Sequence, residues 1–388
     1  MLLGEIQVSD FVYFASMALY SASCVLSMSE LDSVAIFNRI FDAIRIASLL
    51  FVLLKVFVAG VKYTRREIAL YGTLLACSAA TFAASGSFWL VALSIFLIGS
   101  KGIDFDAIVK MVLRAVLFAT LLVFALYFTG IIDSSAFYTR DYITGLIVER
   151  KSLGFGYVNS VGRIGLCVFM CYLYLRFERF GLLQLIASIA LALFLWLYVV
   201  TRTAAVIIIF GAMIAFFLHR INRKLLIRFC AIIALAGIAA GTVLPVVFQS
   251  ESALFSIIDS MTSHRLYWAH WCLENYGITV FGQPIHTVSF EEAALVGVNA
   301  FFLDNTYIRL LLNYGLIATA LFFVAYIAVI RKSLLCERVD ITLLLSLMFI
   351  SGIASFWPLI FPLGFPLMAL SASIGSSHEH CSANLAVD

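Results

Sequence analysis

Residues 226–248 read LIRFCAIIALAGIAAGTVLPVVF, and Arg228 is the only charged residue in this run. A helix of about 20 apolar residues can cross the hydrocarbon core of a bilayer, so the run is long enough for one span. Similar apolar runs recur along the whole chain. They predict a bundle of transmembrane helices, because a helix satisfies its backbone hydrogen bonds without water.

The composition supports this prediction. Of the 388 residues, 63% are hydrophobic and 12% are charged, and the mean hydropathy is +1.07. Such a chain cannot cover a water-soluble globule with polar side chains. The net charge of +3 is small and the basic residues are spread between the apolar runs, which argues against nucleic acid as a partner.

We therefore predict an all-α fold in which residues 1–388 form a single integral membrane domain with about twelve spans in the lipid bilayer. The predicted spans are 8–27, 39–60, 67–84, 86–101, 109–130, 156–176, 180–200, 202–219, 226–248, 305–330, 341–356 and 358–375. Two pairs with very short connections are alternatively re-entrant hairpins.

Lys and Arg are divided unequally between the predicted connections. The richer connections lie near residues 62–66, 101–110, 176–179, 220–228 and 331–338. Short cytoplasmic loops carry the excess of basic residues, so these connections and both termini are predicted to be cytoplasmic. The two long loops, near 131–155 and 249–304, then lie on the outer face. Loops of this length are usually functional or disordered, and their composition is not typical of disorder.

Arginines on the predicted outer side are the first candidates for a site. Arg150, Arg202 and Arg265 could together hold a diphosphate, because guanidinium groups form bidentate hydrogen bonds with phosphate and keep their proton. Arg202 lies between two apolar runs, where a charge costs on the order of 2.5–3.5 kcal/mol at a span centre. The alternative for Arg202 is a side chain that reaches the interface.

Other polar and aromatic residues accompany these arginines. The candidates for substrate contact are Asn159, at the start of one predicted span, and Asn305, Tyr307 and Arg309, at the start of another. Asp304 and Asn305 also suit a helix cap, and Arg309 alternatively pairs with Asp304. His264 and Asp304 are candidate general bases. Trp268 could stack on a sugar or belong to an interfacial aromatic belt.

Several chemistries have no motif in this sequence. We find no phosphate-binding glycine loop, dinucleotide fingerprint, clustered metal ligands or nucleophile elbow. We predict no cofactor and no metal site, which leaves a metal-independent reaction or transport.

Four motifs occur in one order: SLGFGYVNSVG (152–162) after Arg150, TRTA (201–204), SHRLYW (263–268) and DNTYIRLLLNYG (304–315). In order and spacing they resemble those of the Wzy-type O-antigen, capsular and exopolysaccharide polymerases, a family related to the O-antigen ligases. Two positions depart from the family. Tyr157-Val158 stands where His-Pro is common, and His264 stands where glycine is common.

The resemblance implies an inverting, metal-independent glycosyltransferase in a bacterial cytoplasmic membrane, with its active site facing outward. The donor would be a growing glycan on undecaprenyl diphosphate, and the acceptor a lipid-linked repeat unit delivered by a flippase. A chain-length regulator is a further expected partner. The alternatives are an O-antigen-ligase-like transferase, a multi-pass transporter or flippase, and a membrane scaffold.

Overall fold

The computed structural model describes residues 8–58, 62–134, 136–140, 147–218, 222–262, 264–288 and 301–374. Parts of both predicted long loops, 141–146 and 289–300, lie outside these ranges. The helices are α1 (Val8–Leu26), α2 (Ala35–Val58), α3 (Arg65–Ser85), α4 (Trp89–Gly99), α5 (Phe105–Phe128), α6 (Val158–Arg176), α7 (Leu182–Leu197), α8 (Arg202–Met213), α9 (Arg223–Val246), α10 (Ala253–Met261), α11 (Arg265–Asn275), α12 (Thr306–Arg309), α13 (Gly315–Leu335) and α14 (Val339–Ile353).

Helix dominates the described residues, as predicted. Within them, six helical stretches are long and apolar enough to cross a membrane, and they make the chain a multi-pass membrane protein. These stretches are Val8–Leu26, Arg65–Ser85, Phe105–Phe128, Val158–Arg179, Arg223–Val246 and Thr306–Leu335. Beyond these six, the number of spans and their orientation stay predictions.

The predicted twelfth span, residues 358–375, is not a membrane helix. The chain there forms two short 3-10 turns, Trp357–Leu359 and Phe365–Leu370, and most of their side chains are buried. The physical reason is Pro358, Pro362 and Pro366, since a proline inside a helix lacks the N–H and clashes with the preceding turn.

The first long loop contains a two-stranded antiparallel hairpin that the all-α prediction did not include. Strand β1 (Ala136–Arg140) pairs with β2 (Ile147–Lys151), and Phe137 lies opposite Arg150. The chain then returns to the bundle, where the N–H of Gly156 donates to the carbonyl of Met28 at 2.9 Å. This docking fixes the hairpin against the end of α1.

Helix α14 lies at the centre of the bundle and contacts α6, α8, α9 and α13. Most of its side chains are buried, which is expected for a helix that is apolar on all faces. Glycines allow α9 to approach closely: Gly237 lies against the backbone of Phe349, and Gly241 lies against the ring of Tyr307.

The bundle has two chemically distinct ends. At one end, Arg338 donates to Asp340 at 2.8 Å and to Tyr174 at 2.7 Å, which ties the start of α14 to the end of α6. We call the other end the loop end. It comprises the hairpin, the starts of α6, α8 and α11, and residues 303–309.

Candidate functional site

Five arginines from five separate segments meet at the loop end, and we call them the arginine cluster. They are Arg150 in β2, Arg163 in α6, Arg202 in α8, Arg265 in α11 and Arg309 in α12. All five side chains are half-buried. Arg150 interacts electrostatically with Arg265 and Arg202, and Arg163 interacts with Arg265 and Arg309. Residues far apart in sequence therefore build one strongly positive site.

Arg150 is incompletely hydrogen-bonded in this cluster. Its Nη2 donates to the side-chain oxygen of Asn159 at 2.8 Å, but its Nε is buried and has no hydrogen-bond partner among the described residues. Burial, and then the positive charges of Arg265 and Arg202, together lower the pKa of Arg150 to about 10. An unsatisfied buried donor costs about 1–3 kcal/mol, which an anionic ligand would recover.

Arg265 is held by the carboxylate of Asp304. Its Nε donates to Oδ2 of Asp304 at 3.1 Å, and Nη1 lies 3.5 Å from Oγ1 of Thr203. The Arg265 and Asp304 side chains are 19% and 16% exposed. Asp304 also interacts electrostatically with Arg163 and Arg309, so this one carboxylate offsets part of the cluster's charge.

Arg309 does not form the ion pair with Asp304 that was the alternative to a role in substrate contact. Its Nη1 donates to the carbonyl of Leu303 at 3.3 Å, and its guanidinium lies 4.0 Å from the centre of the Phe356 ring. The guanidinium of Arg163 lies 5.6 Å from the same ring. Cation–π contacts of this kind stabilise a partly desolvated guanidinium without neutralising it.

Arg202 begins α8 and is not in the middle of a span. Its guanidinium lies 5.9 Å from the centre of the Trp196 ring, on the neighbouring helix. The predicted cost of a charge at the centre of a span therefore does not apply to it. Its position in the first helical turn still adds charge to the positive end of the α8 dipole.

His264 occupies a left-handed backbone conformation, with φ of 60°. Its Nδ1 lies 2.8 Å from Oδ2 of Asp259, and its ring is half exposed. Asp259 is buried, and its Oδ1 accepts from the N–H of Tyr267 at 2.9 Å. One carboxylate thus orients the imidazole and caps the first turn of α11, the turn that carries Arg265.

Asn305 and Tyr307 lie in the core, which favours a structural role over the substrate contact predicted for them. Asn305 is 1% exposed and caps α12, with its side-chain oxygen accepting from Tyr307 and Ile308 at 2.9 and 3.0 Å. Its Nδ2 donates to the carbonyl of Gly241 at 3.0 Å. Tyr307 is also 1% exposed, and its hydroxyl donates to the carbonyl of Phe349 at 2.6 Å.

Trp268 belongs to an aromatic group on α11. Its ring centre lies 6.0 Å from that of Trp271 and 6.2 Å from that of Phe301. This group packs over the segment that leads to Asp304. The half-buried Trp268 ring keeps an exposed part that is compatible with stacking on a sugar.

Asp259 and Phe356 belong to the site but were not singled out from the sequence. Asp259 lies in α10, and its role depends on the turn that brings Tyr267 back to it. Phe356 follows α14, and no feature of the neighbouring sequence indicates that two guanidinium groups lie against its ring. An acidic residue five positions before His264 was the only sequence signal for either. Within the described ranges, no three His, Cys, Asp or Glu side chains are grouped as metal ligands.

The left-handed φ of His264 gives a first prediction. His264→Gly should stay folded and lower the unfolding free energy by no more than about 2 kcal/mol, because glycine relieves the left-handed φ by up to about 1 kcal/mol, whereas the buried Asp259 loses its imidazole partner at a cost of about 1–3 kcal/mol. Thermal unfolding in detergent measures the change. If the imidazole is a general base, the same variant loses most of its activity although it stays folded. Full activity of the His264→Gly variant would show that His264 is not the general base.

As a whole, the cluster can bind a multiply charged anion at the surface of a membrane bundle. Comparisons with protein-family models, with curated proteins and with solved structures found no match to this chain.

Proposed function

We propose that the protein is a polysaccharide polymerase, which transfers a growing glycan from a polyprenyl diphosphate to a lipid-linked repeat unit on the outer face of the cytoplasmic membrane. The observation that carries this proposal is the arginine cluster at the loop end, with the buried, unsatisfied Nε of Arg150. Arg202, Arg265 and Arg309 lie within motifs that resemble those of the polymerase family, and Arg150 and Arg163 flank a fourth such motif.

In this reaction a hydroxyl oxygen of the acceptor attacks the anomeric carbon of the donor sugar. The bond from that carbon to the diphosphate oxygen breaks, so the configuration inverts and the diphosphate leaves with the electron pair. Arg202 and Arg265 would stabilise the charge that develops on the leaving group, and Arg150 would assist at the rim. Such stabilisation strengthens as water is excluded, and the half-buried arginines are partly removed from water.

The proton of the attacking hydroxyl needs an acceptor, and His264 suits this role better than Asp304. The Asp304 carboxylate is engaged by the Nε of Arg265, whereas the half-exposed His264 ring is oriented through Nδ1 by Asp259. Histidine is the side chain that most often serves as a general base.

Deletion of the gene tests the proposal directly. We expect the deletion strain to accumulate single lipid-linked repeat units and to lose the ladder of longer glycans on a gel, and the wild-type gene to restore the ladder. Long glycans that remain on the lipid carrier would instead indicate a ligase-like transferase. An unchanged ladder would overturn both activities.

A further inference from the structure

An apolar groove runs along the bundle on the far side of α6 from the arginine cluster. Helices α5, α6 and α7 line it, and the unfilled space between them, part of which is open to the surroundings, is about 510 Å³. Thr120 and Phe124 contribute from α5, Val161 and Gly165 from α6, and Leu191 and Phe194 from α7.

The groove walls exclude a polar ligand. Thr120 is the one lining residue with a hydroxyl, and this hydroxyl donates to the carbonyl of Val116 at 2.7 Å within α5. The remaining lining side chains are hydrocarbon or aromatic, apart from Gly165. A ligand in this groove therefore gains from burial of its own apolar surface.

The groove opens toward the surface that faces lipid. Phe194 on its wall is 41% exposed, and the neighbouring Leu121 and Leu193 are 63% and 49% exposed. It lies in the half of α5 nearest the loop end, and its α6 wall runs from Val161 to Val168, about 10 Å along the helix. A hydrocarbon chain could enter sideways from the bilayer.

The ammonium group of Lys151 lies near the loop end of the groove. The ring of Phe194 stacks on that of Tyr198, with 5.5 Å between centres, and the Nζ of Lys151 lies 5.0 Å from the centre of the Tyr198 ring. Lys151 thus lies beyond the loop end of the groove. Apolar walls and a terminal ammonium group complement a hydrocarbon chain that ends in a phosphate.

The groove is separate from the candidate active site. On α6, Asn159 and Arg163 lie on one face, whereas Val161 and Gly165 are about 200° and 240° around the helix from Asn159. We propose that this groove is a binding site for an anionic phospholipid of the surrounding leaflet, with one chain between α5 and α7 and its phosphate at Lys151. The proposal goes beyond glycan transfer and does not depend on it.

Native mass spectrometry of the purified full chain tests this site, with phosphatidylglycerol and phosphatidylcholine of identical acyl chains as probes. We expect wild-type protein to retain phosphatidylglycerol about fivefold better, the factor of one lysine near an anionic lipid. Leu191→Trp fills the groove and should lower retention of both lipids by at least that factor. Leu193→Trp, on the exposed face of α7, should match wild type.

Lys151→Gln tests the headgroup contact without changing the groove, and it should abolish the preference for phosphatidylglycerol. Lys110→Gln, at an exposed site near the other end of α5, is its control and should keep the preference. If a folded Leu191→Trp variant retains both lipids as well as the wild type does, the groove is not their binding site. A preference that persists in Lys151→Gln would overturn the assignment of the phosphate, even if Leu191→Trp fails to fold.

Discussion

Arg265→Ala is expected to lower the rate of glycan transfer at least about 100-fold while the protein remains in the membrane. Removal of one preorganised donor to a developing oxyanion typically costs this much. Arg265 lies where Arg150, Arg163 and Asp304 all interact with it, so no single neighbour can replace its guanidinium. Polymer length on a gel and release of polyprenyl diphosphate by the purified protein measure the loss.

Matched variants separate chemistry from stability. Arg265→Ala also leaves the Asp304 carboxylate without its Nε donor, which should cost about 2 kcal/mol of unfolding free energy. The double variant Arg265→Ala/Asp304→Ala should recover much of that stability but no activity. Arg66→Ala, at an exposed position in α3, should behave as wild type. Polymer of full length from Arg265→Ala would contradict the proposed role of the cluster.

The positions of most helices follow from apolar runs alone. The run 226–248 became α9 (Arg223–Val246), and the predicted span 67–84 became α3 (Arg65–Ser85), which begins at a capping box of Thr64 and Glu67. The length and hydropathy of an apolar run do not predict a span correctly where the local sequence prevents a helix. Residues 358–375 are apolar enough for a span, but three prolines break the helix there.

Arg150, Arg202 and Arg265 were candidates for a joint site because they share one predicted side of the membrane, and in the structure Arg150 lies close enough to the other two to interact electrostatically with both. The partner of each side chain was not predictable in the same way. Asp304 lies five residues before Arg309, yet it binds Arg265, because the path of the loop and not sequence distance decides which guanidinium reaches it. For the same reason the cap of α12 is Asn305, although Asp304 also suited that role.

The segment that carries Asp304 and Arg309 packs against α9 at Gly241. Gly241→Ala should lower the unfolding free energy by about 1–3 kcal/mol, as overpacking of a filled core does. An added Cβ at Gly241 would overlap two atoms of the Tyr307 ring. The ring cannot easily move, because its hydroxyl is bonded to the carbonyl of Phe349 and the residue is 1% exposed.

Gly72→Ala in α3 is the matched control, because no atom lies within 4 Å of the Cβ it would add. Both changes gain up to about 1 kcal/mol of helix propensity, so any difference between them reports packing alone. Thermal unfolding in detergent should show a lower Tm for Gly241→Ala and an equal or higher Tm for Gly72→Ala. Equal stability of the two variants would mean that α9 can move away from Tyr307. Because the Gly241 carbonyl also accepts from Asn305, a displaced α9 should disturb the cap that precedes Arg309 and lower activity together with Tm.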